Sequence, residues 1–153
     1  MKGDIYEFVI PIKPIGKARP RFASIKKKDG SRITRVYSTQ ETEEGLMLLF
    51  MLNKWKDKEP LTGPLRADFE FMFKRPKSHW GTGRNSGVLK KSAPKLWHIQ
   101  KPDFDNICKI ICDSINLVIY MDDAQICSGS FDKWWQNDPN GIPYMKLVLT
   151  ELE

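Results

Sequence analysis

The spacing of apolar and polar positions along this 153-residue chain changes several times, and each change marks an element. Tyr6-Glu7-Phe8-Val9-Ile10 reads as a first strand, closed by Pro11 and Pro14, which cannot donate to a ladder. A hairpin is expected around an Asp29-Gly30 turn. Ser38 followed three residues later by Glu41 fits a capping box, and Glu43 and Glu44 suit the positive end of the helix that starts there. That helix should run to about Trp55. Residues 46–52 are all apolar and cover most of its circumference, so more than one face must be buried, in the core or against another subunit.

Residues 65–73 alternate, with Ala67, Phe69, Phe71 and Phe73 on one side of a strand. A second helix is expected over about 105–118. Its apolar face is Ile107, Ile110, Ile111 and Val118, and Asp105, Lys109, Cys112 and Asn116 share the opposite side. Strands at about 124–135 and 143–151 flank a turn-rich stretch at 137–141. The β-hairpin-α-β-α-β-β order predicts one α+β domain over residues 1–153, with a mostly antiparallel or mixed sheet and two main helices.

Composition narrows the class. No segment is long or apolar enough to span a bilayer, and the N-terminus lacks the apolar run of a signal peptide, so a cytoplasmic protein without membrane association is expected. Cys108, Cys112 and Cys127 are odd in number, and two lie four apart on a helix, which argues against a disulfide framework. They read as small buried or half-buried residues. With two histidines and no Cys-x-x-Cys pair, a zinc site is not expected. His98 falls outside the candidate site, and the Trp134-Trp135 pair reads as half core and half surface.

The net charge of +6 conceals a segregation. Segments 11–37 and 71–102 hold 17 of the 25 Lys and Arg but only one of the 19 acids, so they carry a formal +16 against −10 for the rest. A basic arm at about 11–37 and a Gly-, Pro- and Lys-rich mobile loop at about 74–100 would hold a polyanion beside an acidic cluster. Lys17, Arg19, Arg21, Lys74, Arg75 and Lys101 are the candidate DNA contacts.

That acidic cluster is Lys101-Pro102-Asp103-Phe104-Asp105-Asn106 together with Asp122-Asp123-Ala124-Gln125, separated by one helix length. On extended backbone Asp103 and Asp105 point the same way, whereas Asp122 and Asp123 point apart, so only one of the later pair should reach a shared site. Converging carboxylates repel unless a hard divalent cation sits among them, and three of them around Mg²⁺ or Mn²⁺ suit phosphodiester hydrolysis. Lys109 lies one turn beyond Asp105, placed either for a surface ion pair or to orient a carboxylate or phosphate.

Lys-Pro-Asp-x-Asp-Asn, a lysine four residues after the second Asp, a helix and then Asp-Asp-Ala-Gln resemble the RusA family of Holliday-junction resolvases, small dimeric endonucleases frequent in phages and prophages. Gly16-Lys17-x-Arg19-Pro20-Arg21 matches more loosely. The resemblance implies that Asp103, Asp105 and Asp123 are metal ligands and Lys109 the essential lysine. It also implies Mg²⁺- or Mn²⁺-dependent cleavage of four-way DNA junctions in recombination and repair. Two symmetric cuts from one acidic cluster per chain imply a homodimer. A nuclease for flaps or other branched DNA is the alternative with the same carboxylates; a non-catalytic phage DNA-binding protein is the alternative outside enzymes.

Overall fold

The computed structural model describes residues 3–18, 21–37 and 41–153. Alternation at 65–73 builds β4 (Leu65–Phe73), the organising strand, with Leu65, Ala67, Phe69, Phe71 and Phe73 on its buried face. It pairs antiparallel with β6 (Tyr144–Glu151), which pairs antiparallel with β1 (Ile5–Ile10), and parallel with β5 (Ile126–Trp135). The resulting order is β1-β6-β4-β5. The mixed sheet and single α+β domain thus match the sequence reading.

α1 (Glu41–Trp55) and α2 (Phe104–Ile115) cover one face of the sheet. The other face is half-solvated, with Arg66 paired to Asp68 and Tyr144 donating to Glu70. Met47, Met51 and Trp55 of α1 enter the core, while Leu46, Leu49, Phe50 and Leu52 stay exposed. The two-faced apolar surface expected of this helix is therefore real, and one face has no partner among the described residues. Ser38 of the expected capping box lies outside them.

β2 (Arg21–Lys26) and β3 (Arg32–Tyr37) form the expected hairpin as a separate two-stranded sheet. Gly30 closes its turn at φ 86°, a left-handed conformation open to glycine, and Ser31 donates to Asp29.

Three details differ from the sequence reading. α2 stops at Ile115 rather than 118, because Leu117 adopts φ 63° and Ile115 oxygen accepts from both Val118 and Ile119. Ile115, rather than Val118, completes its buried stripe. The stretch expected as a mobile loop at 74–100 is hydrogen-bonded along its course. Residues 96–98 run antiparallel along the outer edge of β5, with Trp135 N–H donating to Leu96 oxygen and His98 N–H to Lys133 oxygen, so the end of that edge strand, 133–135, is covered.

Candidate active site

The first acidic pair is placed by the start of α2. Asp103 is the N-cap residue, with extended φ and ψ, and Asp105 lies in the first helical turn. The pair is therefore not carried on one extended strand: Asp103 caps the helix and Asp105 belongs to it. Both carboxylates are exposed at the positive end of the helix, which favours negative charge there. No side-chain hydrogen bond engages Asp103 as a cap.

The second pair is placed by long-range bonds. Tyr120 hydroxyl donates to Cys112 oxygen at 2.9 Å, turning the chain back along α2. Gln125 Nε2 donates to Leu61 oxygen at 3.0 Å and Gly63 oxygen at 2.8 Å, fixing the short turn of 3₁₀ helix at Asp123–Gln125. Within that turn Asp122 and Asp123 separate in role. Asp122 Oδ1 accepts from Ala124 N–H at 2.8 Å, and Gln125 Oε1 accepts from Asp122 N–H at 2.9 Å, a complete capping box. Asp123 is exposed, and no side-chain hydrogen bond or ion pair engages its carboxylate among the described residues.

Two thiols of α2 feel acids from both pairs. Cys108 is pushed up to about 12, first by burial, then by the neighbouring Cys112 and by Asp105. Cys112 is pushed up to about 11 by burial, with Asp123 and Asp113 adding to the rise. Asp105 thus acts on one thiol of α2 and Asp123 on the other, one turn further along the helix. Among the described residues, no three of His, Cys, Asp and Glu stand close enough to hold a metal ion. The donor chemistry nonetheless fits a hard cation: the uncommitted groups are carboxylate oxygens, and the thiols beside them stay protonated. Asp103, Asp105 and Asp123 are all exposed.

Lys109 is exposed on α2 and makes no ion pair among the described residues, so the surface pair with Asp105 does not form. The candidate DNA contacts divide. Lys74 and Lys101 are exposed. Lys17 is committed to Asp113 at 2.6 Å and Glu44 at 3.6 Å, a bridge between the two helices. Arg75 corrects the expectation outright: only 4% exposed, it donates to Pro94, Lys95 and Gln136 oxygens and to Asn137, and so fastens the 74–100 excursion. Arg19 and the side chain of Arg21 lie outside the described residues.

Contacts with no sequence signal of their own surround the start of α2. Gly16 lies against Asn106 and Pro102, where a Cβ would meet Asn106 Nδ2 at 2.5 Å, and Lys17 N–H donates to Asn106 oxygen. Its glycine could have been read as a close approach; the partner could not. Lys133 Nζ donates to Gln100 and Pro102 oxygens, both at 2.7 Å, just ahead of Asp103. His98 is buried, stacks on Phe73 at 3.6 Å, and is held down to about 4 by burial and then by Lys133.

This small α+β domain sets exposed carboxylates at the start of a helix, with a lysine one turn on that makes no ion pair among the described residues. The chain belongs to the RusA family: the family model described as Endodeoxyribonuclease RusA matches residues 11–142. It is also 28% identical over 138 residues to the uncharacterized protein YqaN of Bacillus subtilis (strain 168), covering 89% of this chain and 92% of that protein. Among the described residues no helix is long and apolar enough to cross a membrane.

Proposed function

We propose that this protein is a divalent-metal-dependent endonuclease that resolves four-way DNA junctions by paired incisions, acting as a homodimer. The observation that supports the reading is that Asp103 and Asp105 are exposed at the start of α2 and Asp123 is exposed in the turn that follows this helix, while Asp122 is spent on a cap. Membership of an endodeoxyribonuclease family supports DNA as the substrate.

Asp103, Asp105 and Asp123 would hold Mg²⁺ or Mn²⁺, which when bound lowers the pKa of water and neutralises charge on a phosphodiester. Lys109 presents its ammonium to the phosphate, which orients the scissile group and screens it from the carboxylates. Lys133 and the buried Arg75 keep the backbone ahead of Asp103 fixed, so the carboxylates do not have to be ordered anew with each substrate. Exposed Lys74 and Lys101 supply phosphate contacts. The exposed face of α1, with Leu46, Leu49 and Phe50, supplies a surface for a second copy of the chain.

The experiment is a cleavage gel with labelled four-way junction, flap and linear duplex, each with Mg²⁺ and with a chelator. Paired nicks in the junction alone, lost on chelation, are expected. Preferential cutting of the flap would replace the junction reading, and metal-independent cutting would overturn the assignment of the carboxylates.

A further inference from the structure

Beside the acidic pair lies a groove that the nuclease reading leaves unused. It runs between the start of α2 and the edge strand β5, has a volume of about 340 Å³, and is lined by Phe69, Phe104, Cys108, Ile126 and Phe131 among others. Such a volume falls at the small end of pockets that take organic ligands, roughly 300–1,000 Å³. Phe104 and Phe131 form one wall, their rings 3.9 Å apart and 8° from parallel. Each is 45% exposed, an unusual state for two large rings already in contact with each other.

We propose that this groove takes a nucleobase unstacked from the branched DNA substrate, held against the Phe104–Phe131 stack. The inference rests on the proposed function and extends it to a base-binding subsite. Three observations select this occupant. Phe104 lies between Asp103 and Asp105, so anything in the groove sits next to the phosphodiester those carboxylates would address. The outer face of a stacked ring offers what a base loses on leaving its own stack, and a base costs least to unstack where its pairing is already weakened. Finally, the serines along the groove turn their hydroxyls to the opposite face of the sheet: Ser130 Oγ donates to Asp68 at 2.6 Å, and Ser128 Oγ accepts from Arg66 at 3.1 Å. With thiols as the remaining side-chain polar groups, the groove recognises a ring face rather than a base identity.

The test places 5-iododeoxyuridine singly at each position around the branch of a four-way junction, binds it to the full chain in chelator, irradiates, and maps the crosslinked peptide. Crosslinks to Phe104 or Phe131 from branch-point nucleotides, absent on linear duplex, are expected. Phe131→Leu should abolish the Phe131 crosslink and weaken junction binding about 5- to 150-fold, the worth of one base–aromatic stack, with duplex binding unchanged. Phe131→Tyr, which keeps the ring, should restore affinity. Crosslinks confined to other residues, or wild-type junction affinity in folded Phe131→Leu, would overturn the proposal; should that variant unfold, the wild-type crosslink map decides alone. A protein that binds and cuts junctions without crosslinking here loses only the groove, whereas one that binds no branched DNA loses both readings.

Discussion

Lys133 Nζ on β5 donates to the carbonyl oxygen of Pro102 at 2.7 Å, tying the edge strand of the sheet to the residue that precedes Asp103. A second bond of the same length reaches Gln100 oxygen. The first metal-ligand candidate is therefore held from a strand 30 residues further along the chain. Lys133→Met keeps the stem but removes both bonds, so cleavage turnover should fall by roughly 10- to 100-fold, the usual cost of a misplaced reacting group. Junction affinity should change little, because the ammonium is turned inward. A loss that appears wholly in affinity would show that Lys133 contacts DNA instead.

The two acids at 122 and 123 should separate cleanly. Asp103→Asn, Asp105→Asn and Asp123→Asn should each abolish cleavage and leave junction binding intact, since charge is removed without volume. Asp122→Asn should cut at close to the wild-type rate, because asparagine caps as well as aspartate; Asp122→Ala should lose about 1 kcal/mol of stability. An inactive Asp122→Asn beside an active Asp123→Asn would reverse the assignment.

Arg75→Ala should behave as a stability mutation. Deleting a buried guanidinium orphans the carbonyls of Pro94, Lys95 and Gln136, a loss of about 2–5 kcal/mol in denaturant unfolding. The salt dependence of DNA binding by whatever fraction stays folded should match wild type. Lys74→Ala should do the opposite, leaving stability unchanged and lowering the logarithmic salt slope by about 0.9 per lost phosphate contact.

His98 gives the fold an acid limb. Free histidine takes a proton near 6.5, but in the folded chain burial and Lys133 hold this one down to about 4. Between those values the unfolded state binds a proton that the folded state refuses, so stability present above pH 6.5 drains away as pH falls towards 4. The full loss is on the order of 3 kcal/mol. His98→Phe, which keeps the stack on Phe73, should flatten that limb in melts between pH 4 and 7.

Assembly is testable through α1. Leu49 is 57% exposed at the centre of the uncovered face, beside Leu46 and Phe50. Wild type should sediment at twice the 17.8 kDa chain mass at micromolar concentration, and Leu49→Glu should return it to a monomer with an unchanged melt. A monomeric wild type that still makes both cuts in one encounter would remove the dimer from the mechanism.

What the sequence determined by itself was everything set by local period and spacing. The alternation at 65–73 produced β4 with its predicted buried face, Asp29-Gly30 produced the hairpin turn, and the Asp-x-Asp, lysine and Asp-Asp spacing pointed to the family. Sequence patterns also revealed that α1 has more apolar surface than one core face can use. Only the tertiary structure decided which charges are free. Lys17 and Arg75 look like any other basic residue in a basic segment, yet one is bound to Asp113, 96 positions away, and the other to Asn137. Likewise, the alternation expected at 122–123 gave way to a cap, because Gln125 is pulled towards Leu61 and Gly63 across the fold. Periodicity reports which face of an element turns inward; it carries no information about the particular carbonyl or carboxylate waiting there, and that partner decides whether a charged side chain builds the site or reaches the substrate.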